Sequence, residues 1–224
     1  MPLTVAPLRP LFSPLRPARD GKTDADRAAS GEATAQRGLL DRITARLPAG
    51  LSGWTGASPV IRFAELHERD AGQVIVHFMM LGRQDREQRF HNNQGFAALS
   101  DRYHSIDWQS VRFLGAWAGH RLVGVAELAQ SRIEGAPCHE LAVSVRGPWQ
   151  GRGIATRLLR DALEISHREG LPVLMMTQMH NKPMINICRK LGGSGRMLDG
   201  EYFFRFPVKP KVAKTNGQAS LPAR

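Results

Sequence analysis

Cysteine is nearly missing from this chain: Cys138 and Cys188 are the only two in 224 residues. A disulfide framework is thereby excluded, no C-x-x-C site exists, and such thiol-poor usage fits a reducing compartment, so a cytoplasmic location is expected. Long apolar runs are also missing. Nothing approaches the roughly 18 uninterrupted apolar residues of a membrane-spanning helix, and no membrane partner is expected. The eight histidines include no H-E-x-x-H or other metal-ligand spacing, so no metal is expected. Aromatic residues make up only 7%. That scarcity weakens the case for nucleic acid, which a formal net charge of +11 otherwise raises. The arginines are dispersed and no motif that reads DNA or RNA occurs, so nucleic acid is disfavoured as a partner. A basic surface equally suits a phosphorylated small molecule.

What remains is enough for one domain of ordinary size, because 42% of the residues are hydrophobic. The first 58 residues differ in kind. Pro2, Pro7, Pro10, Pro14 and Pro17 break any early element, and a stretch rich in small and polar residues follows to about Arg37. Residues 1–58 are expected to be a disordered leader, with Leu40, Ile43 and Leu47 marking one short helical stripe. Arginines without acids before Asp20 invite a transit-peptide reading, which the prolines oppose. Residues 59–208 read as the folded domain. Residues 209–224 read as a disordered basic tail bearing Lys209, Lys211 and Lys214.

The chemistry concentrates at Val143-Ser-Val-Arg-Gly-Pro-Trp-Gln-Gly-Arg-Gly-Ile-Ala155. An apolar strand ends at Val145, a Gly/Pro turn follows, and a glycine-dense loop opens straight into an amphipathic helix. First-turn N–H groups of a helix lack internal partners, and the helix dipole adds partial positive charge there, so this order predicts a phosphate ligand. The dinucleotide fingerprint fails because Thr156 stands where a third glycine is needed. The P-loop fails because no lysine follows the glycines. The form that fits is Gln150-x-x-Gly153-x-Ala155. Downstream, Ile154, Leu158, Leu159, Ala162, Leu163 and Ser166 recur at helical spacing, and Gly170 supplies a stop. Leu171–Met176 reads as a buried strand. Then come Asn181, Met184, Ile187, Lys190 and Gly192 as a loop asparagine, a short helix and a K-x-G ending, followed by a closing strand at Tyr202–Phe206.

These two motifs, in this order and separation, resemble the GNAT superfamily of N-acetyltransferases over roughly residues 59–208. Leu81–Phe90 and Glu140–Val145 are especially similar to bacterial protein-lysine acetyltransferase domains. The resemblance implies an α/β GNAT fold, a mixed twisted sheet of about six to seven strands with helices on both faces. The sequence places a strand from Val60, a helix from Leu66 to Leu81 with Val74, Phe78 and Leu81 on one side, and a second helix from Asn93 to Tyr103. Paired strands follow at Val111–Trp117 and Arg121–Leu128, then a strand at Glu140–Arg146.

The resemblance also implies acetyl-CoA as co-substrate and a primary amine, either a protein lysine or a small molecule, as acceptor. Backbone at Val143, Ser144 and Val145 is expected to pair with the pantetheine arm. N–H groups of Gln150, Gly151, Arg152, Gly153, Ile154, Ala155 and Thr156 are expected to hold the pyrophosphate, with Arg152 adding charge. Asn181 is expected to bond the pantetheine arm or the substrate side. A lysine amine is neutral only about one part in a thousand near pH 7, a deficit of roughly 4 kcal/mol, so a base is needed. Glu140 is the first candidate, sharing a strand face with Ala142 and Ser144; Glu127 is the second, as helper base or ammonium binder.

Two positions depart from the family pattern. Cys188 stands where many members have a tyrosine acid, and Gly193 replaces the aromatic that commonly follows K-x-G. The first departure keeps a non-catalytic acyl-CoA-binding sensor open as an alternative. Sheet edges that can pair between subunits leave a homodimer open as well.

Overall fold

The computed structural model describes residues 59–90 and 94–208. The expected leader and tail lie outside the described residues, as does the expected helix start at Asn93. Among the described residues, seven strands form one sheet: β1 (Ile61–Leu66), β2 (Val111–Ala118), β3 (Arg121–Ile133), β4 (Ala136–Val145), β5 (Val173–Gln178), β6 (Ser194–Leu198) and β7 (Glu201–Phe206). Their spatial order is β1-β2-β3-β4-β5-β7-β6. All neighbours run antiparallel except β4 and β5. The mixed sheet with helices on both faces is the architecture expected from the sequence.

The helices are α1 (Ala71–Met79), α2 (Arg83–Phe90), α3 (Phe96–Ser105), α4 (Ile154–Glu169) and α5 (Lys182–Lys190). One core lies between the sheet and α4 and α5, where Leu158, Leu159, Leu141, Val145 and Phe204 are buried together. The other lies on the opposite face, where α1 and α3 bring Phe78, Leu99 and Tyr103 against Phe113 and Val125. Each fully buried large apolar side chain contributes about 1.5–3 kcal/mol, so the two cores fix both helical layers to the sheet. Gly124 on β3 lets α4 approach closely: a Cβ there would lie 2.9 Å from Ile154 Cγ2.

The structure departs from the sequence reading at three places. The helix expected from Leu66 begins only at Ala71, after a 3-10 turn at Glu68–Asp70. A separate helix, α2, occupies Arg83–Phe90, where the sequence signals none. Its sequence is polar apart from Phe90, so it carries no apolar stripe; the Arg83–Glu87 pair at 2.8 Å and the buried Arg89 and Phe90 support it instead. Strand β6 leaves no signal in the sequence either, because all five of its residues are exposed and show no alternating burial. It exists by pairing with β7 across a tight turn in which Asp199 and Gly200 have φ of 49° and 82°. No helix among the described residues is long and apolar enough to cross a membrane.

Candidate functional site

The site originates in a break in the sheet. β4 and β5 pair only at His139↔Val173 and Glu140↔Leu174, and then diverge. Residues 141–145 of β4 continue beyond that point, paired with β3 on one side and, among the described residues, with no strand on the other. A cavity of about 380 Å³ opens in the gap. Its walls include Glu140, Val143, Ser144 and Val145 from β4, Gln150, Gly151 and Gly153 from the loop, and Ile154, Ala155 and Thr156 from the first turn of α4. Met175, Met176 and Thr177 of β5, Asn181 with α5, and Asp85, Gln88 and Arg89 of α2 complete it.

The loop is shaped for close approach. Gly151 and Gly153 have φ of 72° and 77°, a left-handed conformation that strains any residue with a Cβ. Gly153 is the N-cap of α4, and no side chain caps the helix start. The N–H groups there are accordingly left for an external acceptor, which is the physical requirement for holding an anion. Gln150 steadies the loop from beneath: its Nε2 donates to the Val145 carbonyl at 3.0 Å and to Asp85 Oδ2 at 3.2 Å.

Of the residues expected from the sequence to act as base or to hold the co-substrate, all but two share this cavity. Arg152 is not part of the cavity wall; its guanidinium lies 5.0 Å over the ring of Trp149, which is. Glu127 is likewise outside the wall. It pairs with Ala142 across β3 and β4 and is 2% exposed. Arg89 Nη2 donates to its Oε2, Arg102 Nη2 to its Oε1 at 3.0 Å, and the Tyr103 hydroxyl to its Oε2 at 3.1 Å. Burial, and then the adjacent Glu127 charge, push the Tyr103 phenol well above its ordinary range. The two candidate bases therefore do not meet in one cavity. Glu140 lines it, whereas Glu127 anchors two guanidinium groups behind it.

Other polar groups around β4 are internally committed. His77 is held neutral, its pKa drawn down to about 3 by burial. His139 donates from Nδ1 to Ser166 Oγ at 2.7 Å, since Ser166 spends its own hydroxyl hydrogen on the Leu171 carbonyl. Burial lowers the His139 pKa, and the nearby Glu169 opposes that shift. Asn181 accepts from the Met184 N–H at 3.3 Å, capping α5, while its Nδ2 donates to Gln88 Oε1 at 3.4 Å.

Cys188 does not reach the cavity. It is fully buried, with Sγ 3.7 Å from Met175 Sδ, and burial pushes its thiol up to about 12. Its position is that of a small apolar side chain. The other family departure has a steric account: a Cβ on Gly193 would lie 2.8 Å from the Phe206 ring, which already fills that space. Asp85, Gln88 and Arg89 leave no mark as site residues in the sequence, because α2 carries no periodic signal. Among the described residues, no cluster of three or more side chains suited to a metal ion occurs.

A sequence model of the acetyltransferase (GNAT) family matches residues 80–192. No match is found among curated proteins. Among solved structures, the GNAT domain of S. lividans PAT is similar at 20% identity and a TM-score of 0.58, over 65% of this chain and 89% of that one. An acetyltransferase from Salmonella typhimurium, yncA, whose structure holds its cofactor acetyl-CoA, is similar at 15% identity and a TM-score of 0.54, over 68% of this chain and 96% of that one. The ribosomal-protein-alanine N-acetyltransferase of Brucella melitensis is similar at 18% identity and a TM-score of 0.52, over 67% of this chain and 99% of that one. At such identities these likenesses speak to the fold.

Proposed function

The chain belongs to the acetyltransferase (GNAT) family, and from that premise we propose that it moves an acetyl group from acetyl-CoA to a primary amine, with Glu140 as general base. The observation that carries this reading is the joining of three features in one cavity: the open edge of β4, the uncapped start of α4, and a carboxylate at the last β4–β5 pair. Backbone groups at residues 141–145 take the pantetheine arm as an added strand. The loop from Gln150 to Thr156 takes the pyrophosphate through N–H groups.

Glu140 withdraws a proton from the incoming ammonium, or from a water beside it, and the neutral amine attacks the thioester carbonyl carbon directly. The C–N bond forms, the C–S bond breaks, the nitrogen gives up its second proton to solvent, and the sulfur leaves as a thiolate. Neither a tyrosine nor a cysteine lines the cavity, so solvent returns the proton to the thiolate, whose basicity is low enough to leave unaided. A protein lysine and a small amine both satisfy this chemistry. The acyl end of the donor is assigned to the part of the cavity that Val143 and Met175 line.

The test is free-thiol release from acetyl-CoA by wild type and Glu140→Gln, against amines, polyamines, amino acids and lysine-bearing proteins. Amine-dependent release that falls by about 10²–10⁴-fold in the variant supports the base. The absence of a cavity tyrosine favours a second reading, a non-catalytic acyl-CoA sensor. Under that reading acetyl-CoA binds, no acceptor provokes release, and Glu140→Gln changes nothing.

A further inference from the structure

Helix α2 is tied to both walls of the cleft. Near its start, Asp85 accepts a hydrogen bond from Gln150 of the loop at 3.2 Å, on the β4 side. One turn later, Gln88 accepts from Asn181 at 3.4 Å and its amide lies 3.3 Å from His180 Nε2, on the β5 side. At its end, Arg89 is locked to the buried Glu127. A short polar helix thus bridges the gap where the two strands part.

The charges in the cavity wall are unevenly placed. They belong to Asp85, Arg89 and Glu140. Arg89 donates to Glu127, and Arg152 is turned onto Trp149. A charged side chain hydrogen-bonded to the anion-holding loop, that of Asp85, is a carboxylate. A carboxylate is a poor companion for a pyrophosphate: like charges in a partly desolvated cleft repel more strongly than in water.

We propose that Asp85 is a donor-specificity residue, one that weakens binding of acyl thioesters carrying phosphates and leaves the pantetheine portion unaffected. This rests on the acetyl-CoA reading above. The Asp85–Gln150 contact links the loop that receives the donor to the helix that walls the cleft.

The test is calorimetric titration of the full chain with acetyl-CoA and, separately, with acetyl-pantetheine, which has no phosphate. Asp85→Asn keeps an oxygen for Gln150 and removes only the charge; Asp85→Glu keeps the charge. We expect Asp85→Asn to bind acetyl-CoA about fivefold more tightly, a gain of the size one screened like-charge contact supplies. That gain shrinks between 50 and 500 mM salt. Acetyl-pantetheine affinity stays unchanged, and Asp85→Glu shows no gain. Unchanged or weaker acetyl-CoA binding by Asp85→Asn overturns the proposal, as does an equal gain for both ligands. Wild type that binds neither ligand overturns the donor reading itself, and the proposal with it.

Discussion

Ser144 on β4 donates its hydroxyl to His77 Nε2 on α1 at 2.9 Å, so a residue of the cavity wall is pinned by a fully buried imidazole behind it. The direction follows from the other ring nitrogen. His77 Nδ1 lies 3.3 Å from the Leu122 carbonyl, which can only accept, so Nδ1 carries the hydrogen and Nε2 the lone pair. Ser144 consequently offers the cleft acceptor lone pairs and no proton.

This pairing makes the fold acid-sensitive. Burial, then the nearby charges of Arg146 and Arg89, lower the His77 pKa from 6.5 to about 3. Below pH 6.5 the unfolded chain takes up a proton that the folded state refuses. The stabilisation is therefore present above 6.5 and lost as pH falls towards 3, at up to about 1.4 kcal/mol per pH unit. Urea denaturation from pH 7.5 to 4 is expected to show a shallower decline for His77→Asn than for wild type. Parallel declines would show that His77 does not carry it.

Removing Glu127 is expected to act on stability first. Glu127→Gln leaves Arg89 and Arg102 buried or half-buried without their shared carboxylate. Breaking such a buried pair costs about 3–5 kcal/mol. Chemical denaturation should show that loss, while Glu140→Gln stays near wild-type stability. If Glu127→Gln unfolds like wild type and loses only catalysis, Glu127 belongs in the reaction after all.

Cys188→Ala should keep turnover within about twofold of wild type, because Sγ sits in the core against Met175 and not in the cavity. The lost packing costs about 1 kcal/mol. In the native protein the thiol should resist a thiol-reactive dye until denaturant is added. A turnover drop of a hundredfold at unchanged acetyl-CoA affinity would make the thiol the missing acid.

Arg152→Ala is expected to leave the KM for acetyl-CoA within about twofold, since the guanidinium stacks on Trp149. Measured by thiol release at low salt, a tenfold rise in KM would mean that the side chain swings onto the donor phosphates.

The parts of the fold with strong periodicity are the parts legible in the sequence. Helix α4 announces itself through Leu158, Leu159 and Leu163, all of which are buried, and through Gly170, whose φ of 74° ends it. The loop before it is legible for the same reason: glycine at 151 and 153 answers a backbone need that other residues meet poorly. Helix α2 and strand β6 leave no such trace, because one is held by polar and buried charged groups and the other by edge pairing. The clamp on Glu127 is hidden for a different reason. Arg89 and Arg102 stand 38 and 25 residues from it in the chain. Only the packing of α2 and α3 beneath the sheet brings these charges together. A glutamate on a strand reads as a catalytic candidate until its partners are located.

The two-pair contact between β4 and β5 has a mechanical meaning for the whole domain. Four strands lie on one side of it and three on the other. Backbone hydrogen bonds give that joint little resistance to shear, so the rigidity of the domain rests on side chains of α4 and α5 that plug both halves at once. Anything lodged along the exposed edge of β4 acts as a splint across the seam. Hydrogen exchange in β7, which lines no part of the cleft, is therefore expected to slow when the cleft is occupied.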